Sequence, residues 1–248
     1  VKEILITGAS GMLGSDVAKG FPQADLLCGK NDLDFSSLFE VERFLKIKKY
    51  DCIIHCAALT DTRKCEANRE TAEKIHSDVV DIFNTYSRKL IYISTVPVWD
   101  YYPYVKSIYF ETKRAGEIKT LSKKENIVIR ANIYGKGGLS DWFHEGSRSG
   151  RKMHGYSEVF FNPVHTTQLS FIIERMVSAD SNGVFSVSSD KVLSKYAFLE
   201  EMKIRCDITN TTFVSSNTIK QDLTIKNADM ICSHEEGMNL LTKEYENK

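Results

Sequence analysis

The chain of 248 residues has no excess of either charge: 33 lysines and arginines face 33 aspartates and glutamates, and no long block of one sign occurs. That balance removes the usual electrostatic reason to expect nucleic acid or an anionic membrane as a partner, and it leaves charge selectivity to local groups. The six cysteines (Cys28, Cys52, Cys56, Cys65, Cys206, Cys232) include no C-x-x-C pair. Three of them sit in apolar or strand-like settings that suit buried free thiols, which points to a reducing, cytoplasmic protein. No run of 18 apolar residues exists, and the N-terminus enters Ile4-Leu5-Ile6 and a glycine turn with no basic, apolar leader, so a soluble, unsecreted chain is expected. His144, His154 and His165 lack metal-ligand spacing with cysteines or carboxylates, so no metal is expected. Internal repeats and low-complexity tracts are absent as well.

What is present is a regular alternation. Short apolar runs (Glu3–Thr7, Ala24–Cys28, Cys52–His55, Leu90–Ser94, Ile127–Arg130) alternate with longer amphipathic stretches. This is the pattern of β-α units that build a parallel sheet covered by helices on both faces. Ser36-Ser37 supplies a helix cap before the apolar spacing Leu38, Val41, Phe44, Leu45, and Thr71–Lys89 reads as a second helix. After Gly135 the sequence loosens into glycine, serine and aromatic residues up to Pro163, then returns to a helix over Thr167–Ala179 and a strand over Gly183–Val187. The expected fold is α/β, a Rossmann-type doubly wound parallel sheet over residues 1–131. Residues 132–248 are expected to form mainly a small C-terminal substrate lobe, with segments returning to the core of one compact body. The tail from Glu235 is either a terminal helix or frayed chain.

Gly8-Ala9-Ser10-Gly11-Met12-Leu13-Gly14 follows the first strand at once and opens a helix. Gly8 permits a tight turn, Gly11 lets backbone N–H groups reach a pyrophosphate, and Gly14 allows the helix to pack close on the strand. Ser10, Met12 and Leu13 lie along the same cradle. An NAD site usually carries Asp or Glu at the tip of the second strand, whereas this chain has Cys28-Gly29-Lys30. A lysine there suits a 2′-phosphate and favours NADP, with NAD as the alternative; otherwise Lys30 is a solvated loop residue.

Tyr109 and Lys113 stand four apart, on one face of a helix. A neighbouring ammonium favours the phenolate and lowers the phenol toward the working range, so Tyr109 can protonate a developing alkoxide while a nicotinamide delivers hydride; Lys113 can also hold the ribose. A second Y-x-x-x-K, Tyr102 to Lys106, lies only seven residues beyond Thr95, too close for a turn and a helix start, and it contains Pro103. The fourth strand ends in Ser94-Thr95, where a hydroxyl can bind a carbonyl oxygen.

With these residues in order, the chain resembles the extended, sugar-nucleotide-acting branch of the short-chain dehydrogenase/reductase superfamily. The motifs that carry the likeness are Gly8–Gly14, Asp34-Phe35, Cys56-Ala57-Ala58, Ser94-Thr95 with Val98-Trp99-Asp100, Tyr109-x-x-x-Lys113 with Glu117, and Arg130 with Tyr134-Gly135. Within that branch it is most similar to the dTDP-4-dehydrorhamnose reductase family, through His55-Cys56-Ala57-Ala58-Leu59-Thr60 with Cys65-Glu66 and through Asn162-Pro163-Val164-His165-Thr166 leading into Leu169. The resemblance implies an NAD(P)H-dependent reductase of a 4-keto sugar nucleotide, with Thr95 polarising the carbonyl, Tyr109 as the acid and Lys113 tuning it. It also implies a nucleotide-sugar substrate and a homodimer built on long helices. Asp34 and Phe35 would meet adenine, and Cys56, Ala57 and Ala58 would line the dinucleotide. Thr60 and Asn162 are candidates for the substrate, as are Trp142 and Phe143, which either stack on a base or fill the lobe's core.

Three features depart from the family pattern. Val96 stands where an aspartate commonly follows the threonine, His76 where an asparagine is common, and the segment from Trp99 to Tyr109 is short. They keep two alternatives open: an epimerase or dehydratase that retains NAD, and a dinucleotide-binding regulatory subunit without turnover.

Overall fold

The computed structural model describes residues 2–96, 107–209 and 212–246. Val98-Trp99-Asp100 and the Tyr102–Lys106 pair lie outside them. In chain order the elements are β1 (Ile4–Thr7), α1 (Met12–Gly20), β2 (Asp25–Leu27), α2 (Leu38–Ile47), β3 (Tyr50–His55), α3 (Thr62–Ala67), α4 (Arg69–Glu73), one π-helical turn (Lys74–Asp78), α5 (Val79–Tyr86) and β4 (Ser87–Ile93). They continue with α6 (Ile108–Leu121), β5 (Ile127–Ala131), β6 (Ile133–Tyr134), α7 (Gly138–Arg148), β7 (Met153–Phe161), β8 (Val164–His165), α8 (Thr166–Ser178), β9 (Gly183–Ser189), β10 (Leu193–Ser194), α9 (Lys195–Arg205), β11 (Phe213–Asp222), β12 (Met230–Cys232) and α10 (His234–Glu246).

Seven strands make one parallel sheet in the order β12-β9-β5-β4-β3-β1-β2. Its inner strands read as short apolar runs because both faces are covered: all four residues of β1 are buried, and Leu5 pairs with Ile53 on one side and Asp25 on the other. The chain leaves β1 toward β2 and then returns to β3 on β1's other side. Such a reversal of strand order marks, in open α/β sheets, the carboxyl-end position where ligands bind, here beside β1 and β3.

The chain divides into two compact units, residues 1–130 with 170–185 and residues 131–169 with 186–248. The first has a core of Leu5, Val41, Leu45, Ile53, Phe83, Leu90, Tyr92 and Val128. The second packs Tyr134, Phe143, Phe161, Phe198, Met238 and Leu241 together and carries a three-stranded sheet, β10-β7-β11. No helix among the described residues is long and apolar enough to cross a membrane, and all six cysteines are free.

Several expectations change. The continuous helix expected over Thr71–Lys89 ends at Tyr86 and is interrupted by the π turn. There the carbonyls of Ile75 and His76 are taken by His55 Nε2 at 3.2 Å and by the Tyr92 hydroxyl at 2.8 Å. Lys89 belongs to β4 because its ammonium finds Asp180 at 2.6 Å and the Ser181 carbonyl at 2.8 Å, which a helical pattern cannot reveal. Ser37 occupies the N-cap of α2 without a side-chain bond, and the Ser36 hydroxyl donates instead to Asp34 at 2.7 Å. Beyond Gly135 the chain is regular rather than loose. Strand β11 escapes a periodicity reading because most of it is solvent-exposed and polar, and the tail is helical over His234–Glu246.

Candidate active site

The site grows from the β1–α1 turn. Gly8 has φ +66°, a left-handed conformation that an L side chain rarely adopts, and a Cβ there would meet the Ala57 nitrogen at 2.7 Å. A Cβ on Gly14 would run into the Gly8 carbonyl. Helix α1 has Gly11 as its N-cap, no side-chain cap bond and no acidic residue in its first turn, so its leading N–H groups are unspent. Leu13 is buried and contributes only its backbone to the cradle. Ser10 turns its hydroxyl to the Cys28 carbonyl, joining the turn to the tip of β2.

Past the end of β2, Lys30 is exposed and ion-paired with Asp34 at 2.9 Å. Asp34 also accepts from the Ser36 N–H at 2.9 Å, and its bonds to Ser36 and Lys30 hold the carboxyl down at about 2. Phe35 does not present its ring to a base. It is buried, edge-on to His55 at 5.8 Å and to Phe83 at 6.1 Å between ring centroids. The segment just after β3 supplies Cys56, Ala57 and Ala58, all half-buried. The Ala57 N–H donates to Thr7 Oγ1 at 3.3 Å, and burial pushes the Cys56 thiol up to about 12.

Tyr109 and Thr95 meet, and Lys113 lies one turn further along the same helix. Helix α6 begins where the Ile108 N–H donates to Glu66 at 2.8 Å and where Arg69 pairs with Glu111 at 3.1 Å. The Tyr109 hydroxyl is hydrogen-bonded to Thr95, which is buried just past the end of β4. Burial pushes the Tyr109 phenol up to about 12, against the pull of the Thr95 bond. Lys113 does not enter that balance, which corrects the expectation that its ammonium lowers the tyrosine. The buried amine donates to the Ile93 carbonyl at 2.6 Å and sits 4.1 Å from the Tyr92 ring centroid. Burial pulls Lys113 down to about 7 although Glu117 favours its charge. Glu117 is in turn held by Arg130, with Nε at 3.1 Å and Nη2 at 2.7 Å.

Sequence reasoning missed Tyr92, the aromatic floor under Lys113, because a strand tyrosine carries no spacing signal toward a helix lysine. Ser94 has a buried hydroxyl with no hydrogen-bond partner among the described residues. Val96 is buried, so an apolar side chain follows Thr95.

The substrate candidates separate. Thr60 and Trp142 are exposed. Phe143 is fully buried in the second unit's core, 5.0 Å from Phe213 between ring centroids, so it fills that core rather than meeting a base. Asn162 is spent on the backbone of Ile225: its Nδ2 donates to the carbonyl at 3.0 Å and its Oδ1 accepts from the N–H at 2.9 Å. Both ends of the amide are occupied, which corrects its reading as a substrate contact.

Residues 2–224 match the family model described as the RmlD substrate binding domain. A dTDP-4-keto-6-deoxy-D-glucose reductase from Streptomyces niveus is 28% identical over 156 residues, which cover 55% of this chain and 54% of that protein. The match therefore spans about half the length of that relative. A dTDP-4-dehydrorhamnose reductase from Clostridium acetobutylicum has a similar structure, with a TM-score of 0.84 at 21% identity covering 98% of this chain and 99% of that one. A dTDP-4-dehydrorhamnose reductase from Bacillus anthracis, solved in complex with NADP, gives a TM-score of 0.82 at 21% identity and covers 98% of each chain.

Proposed function

The chain belongs to the RmlD substrate binding domain family, and from that membership we propose that it is an NADPH-dependent reductase of a 4-keto sugar nucleotide. It is an oxidoreductase of the extended short-chain dehydrogenase/reductase type, at work in the cytoplasm in carbohydrate biosynthesis. The observation that carries the reading is the hydrogen bond between Tyr109 and Thr95 beside the buried amine of Lys113. That is an acid and a carbonyl-binding hydroxyl in one place.

The residues of the β1–α1 turn fit a dinucleotide: a Cβ at Gly8 or Gly14 would collide with backbone, and the N-terminal N–H groups of α1 have no side chain competing for them. Exposed Lys30 supplies a cation for a 2′-phosphate, with Asp34 as the partner it would exchange. When bound, the reduced nicotinamide supplies hydride to the carbonyl carbon. Thr95 donates to the carbonyl oxygen, and Tyr109, protonated throughout the neutral range, passes its proton to that oxygen as charge develops. Lys113, one turn along α6 with its amine on the Ile93 carbonyl, is the donor offered to the ribose side of the site. Residues 131–169 and 186–248 serve as the substrate lobe in this reading, where Trp142 is exposed. A dehydratase needs a further acid-base group beside the threonine, and buried Val96 offers none. A homodimer belongs to the same reading, supported by exposed Ile118 and Leu121 on α6, and light scattering tests it.

The activity test is loss of NADPH absorbance with a dTDP-4-keto-6-deoxy sugar. Tyr109→Phe is expected to lower kcat by about 10²–10⁴, the range of general-acid contributions. A rate unchanged by that substitution sinks the assignment. Calorimetric cofactor binding without turnover on a panel of nucleotide sugars would point to a regulatory subunit instead.

A further inference from the structure

We propose that His76 is a positioning residue of this site, a neutral imidazole in a single tautomer that ties the loop after β3 to helix α6 and so sets where Tyr109 stands. The proposal rests on the reading of Tyr109 as the acid. Its basis is a set of hydrogen bonds that leave the ring one protonation state. The Leu59 N–H, which can only donate, points at Nε2 at 2.9 Å, so Nε2 is bare. On the other side Nδ1 lies 2.8 Å from Thr112 Oγ1. That hydroxyl already donates to the Ile108 carbonyl at 2.7 Å, so Nδ1 carries the proton. The ring is buried and meets the Tyr109 ring edge-on, with centroids 5.7 Å apart and planes at 90°.

The backbone repeats the tie. His76 lies in the π turn, where its carbonyl accepts the Tyr92 hydroxyl at 2.8 Å. The next carbonyl back, Ile75, accepts His55 Nε2 at 3.2 Å, while His55 Nδ1 takes the Thr7 hydroxyl at 2.8 Å. Two adjacent residues of one turn thus reach the cofactor-side loop, the floor under Lys113 and the catalytic helix. π turns of this kind recur at functional sites. A second proton on His76 would set Nε2–H against the Leu59 N–H, and it is opposed first by the burial of the ring and then by Lys113 and His55. His76 therefore acts by shape and by its one donor and one acceptor. It neither relays a proton nor lies idle.

Two substitutions separate these roles. His76→Phe keeps the ring volume and the edge contact with Tyr109 but loses both bonds; His76→Gln keeps one donor and one acceptor. In the NADPH assay His76→Phe is expected to lose about tenfold to a hundredfold in kcat, the scale of ångström-level misplacement, while the cofactor Kd stays within about threefold of wild type. His76→Gln is expected to recover kcat to within about threefold of wild type. Nitrogen NMR of the ¹⁵N-histidine-labelled wild-type protein is expected to show His76 as the Nδ1–H tautomer, untitrated from pH 5 to 8. Full activity in His76→Phe, equal loss in both variants, or an Nε2–H or titrating ring would each overturn the proposal. Should the wild type reduce no 4-keto sugar nucleotide, the functional reading fails on its own. The His76 assignment is then decided by the NMR tautomer and by the ¹³C shifts of the Tyr109 ring, which should move in His76→Phe and return in His76→Gln.

Discussion

Replacing Lys113 with methionine should destroy activity and yet stabilise the fold, by an amount that depends on pH in a stated direction. The fully buried amine has been brought down by burial from its ordinary 10.5 to about 7. At ~1.36 kcal/mol per pH unit, holding the charged form inside the fold costs on the order of 5 kcal/mol. For a lysine with a depressed value that cost is complete below about pH 7, and it is relieved as the pH rises from there toward 10.5. Methionine fills a similar volume without the charge. It gives up the bond to the Ile93 carbonyl and the contact with the Tyr92 face, which together offset about 2–3 kcal/mol. The net expectation at pH 6 is a gain of about 2 kcal/mol for Lys113→Met. Measured by urea denaturation of both proteins at pH 6, 7.5 and 9, the gain should shrink at each step. Taking the difference between the two proteins cancels every other titrating group. A variant less stable than wild type at pH 6, or a difference flat between pH 6 and 9, refutes the reasoning, because either result means that the amine is not held charged against its desolvation.

Gly116→Ala places a methyl group against the His76 carbonyl and the Tyr92 hydroxyl. It should cost about 1–3 kcal/mol of stability by overpacking, seen as a lower melting temperature, and should lower kcat by pushing the π turn away from β4. Asn162→Ala leaves the N–H and the carbonyl of Ile225 without their partners. It should destabilise the protein by about 2–4 kcal/mol in chemical denaturation while leaving the cofactor Kd unchanged; an unaltered melt would return Asn162 to the ligand contacts.

Much of the first 130 residues is legible in the sequence for one physical reason. A parallel strand buried on both faces must be a short apolar run, and a phosphate turn must carry glycine where backbone meets backbone. β1, β3 and β5 therefore lie close to where the apolar runs put them, and the Gly8 turn has the left-handed φ that its glycine permits. Spacing likewise brought Tyr109 and Lys113 to one helix and Thr95 to the end of a strand. What could not be read is what each polar group does once neighbours from distant sequence arrive. Asp34 is drawn down by Ser36 and Lys30, Phe35 is absorbed into a core shared with Phe83, and Asn162 is taken by Ile225, 63 residues away.

The sequence by itself determined the doubly wound sheet, the glycine turn between β1 and α1 and the order threonine, tyrosine, lysine, because periodicity and spacing along the chain impose them locally. Tertiary structure alone decided the electrostatics. Burial raises Tyr109 to about 12 and lowers Lys113 to about 7, so the lysine faces the Ile93 carbonyl and the Tyr92 ring instead of tuning the phenol. It also fixed the tautomer of His76 through Leu59 and Thr112, residues 17 and 36 positions away. Desolvation and hydrogen-bond direction depend on what surrounds a group in space, and no pattern of residue types along the chain encodes that.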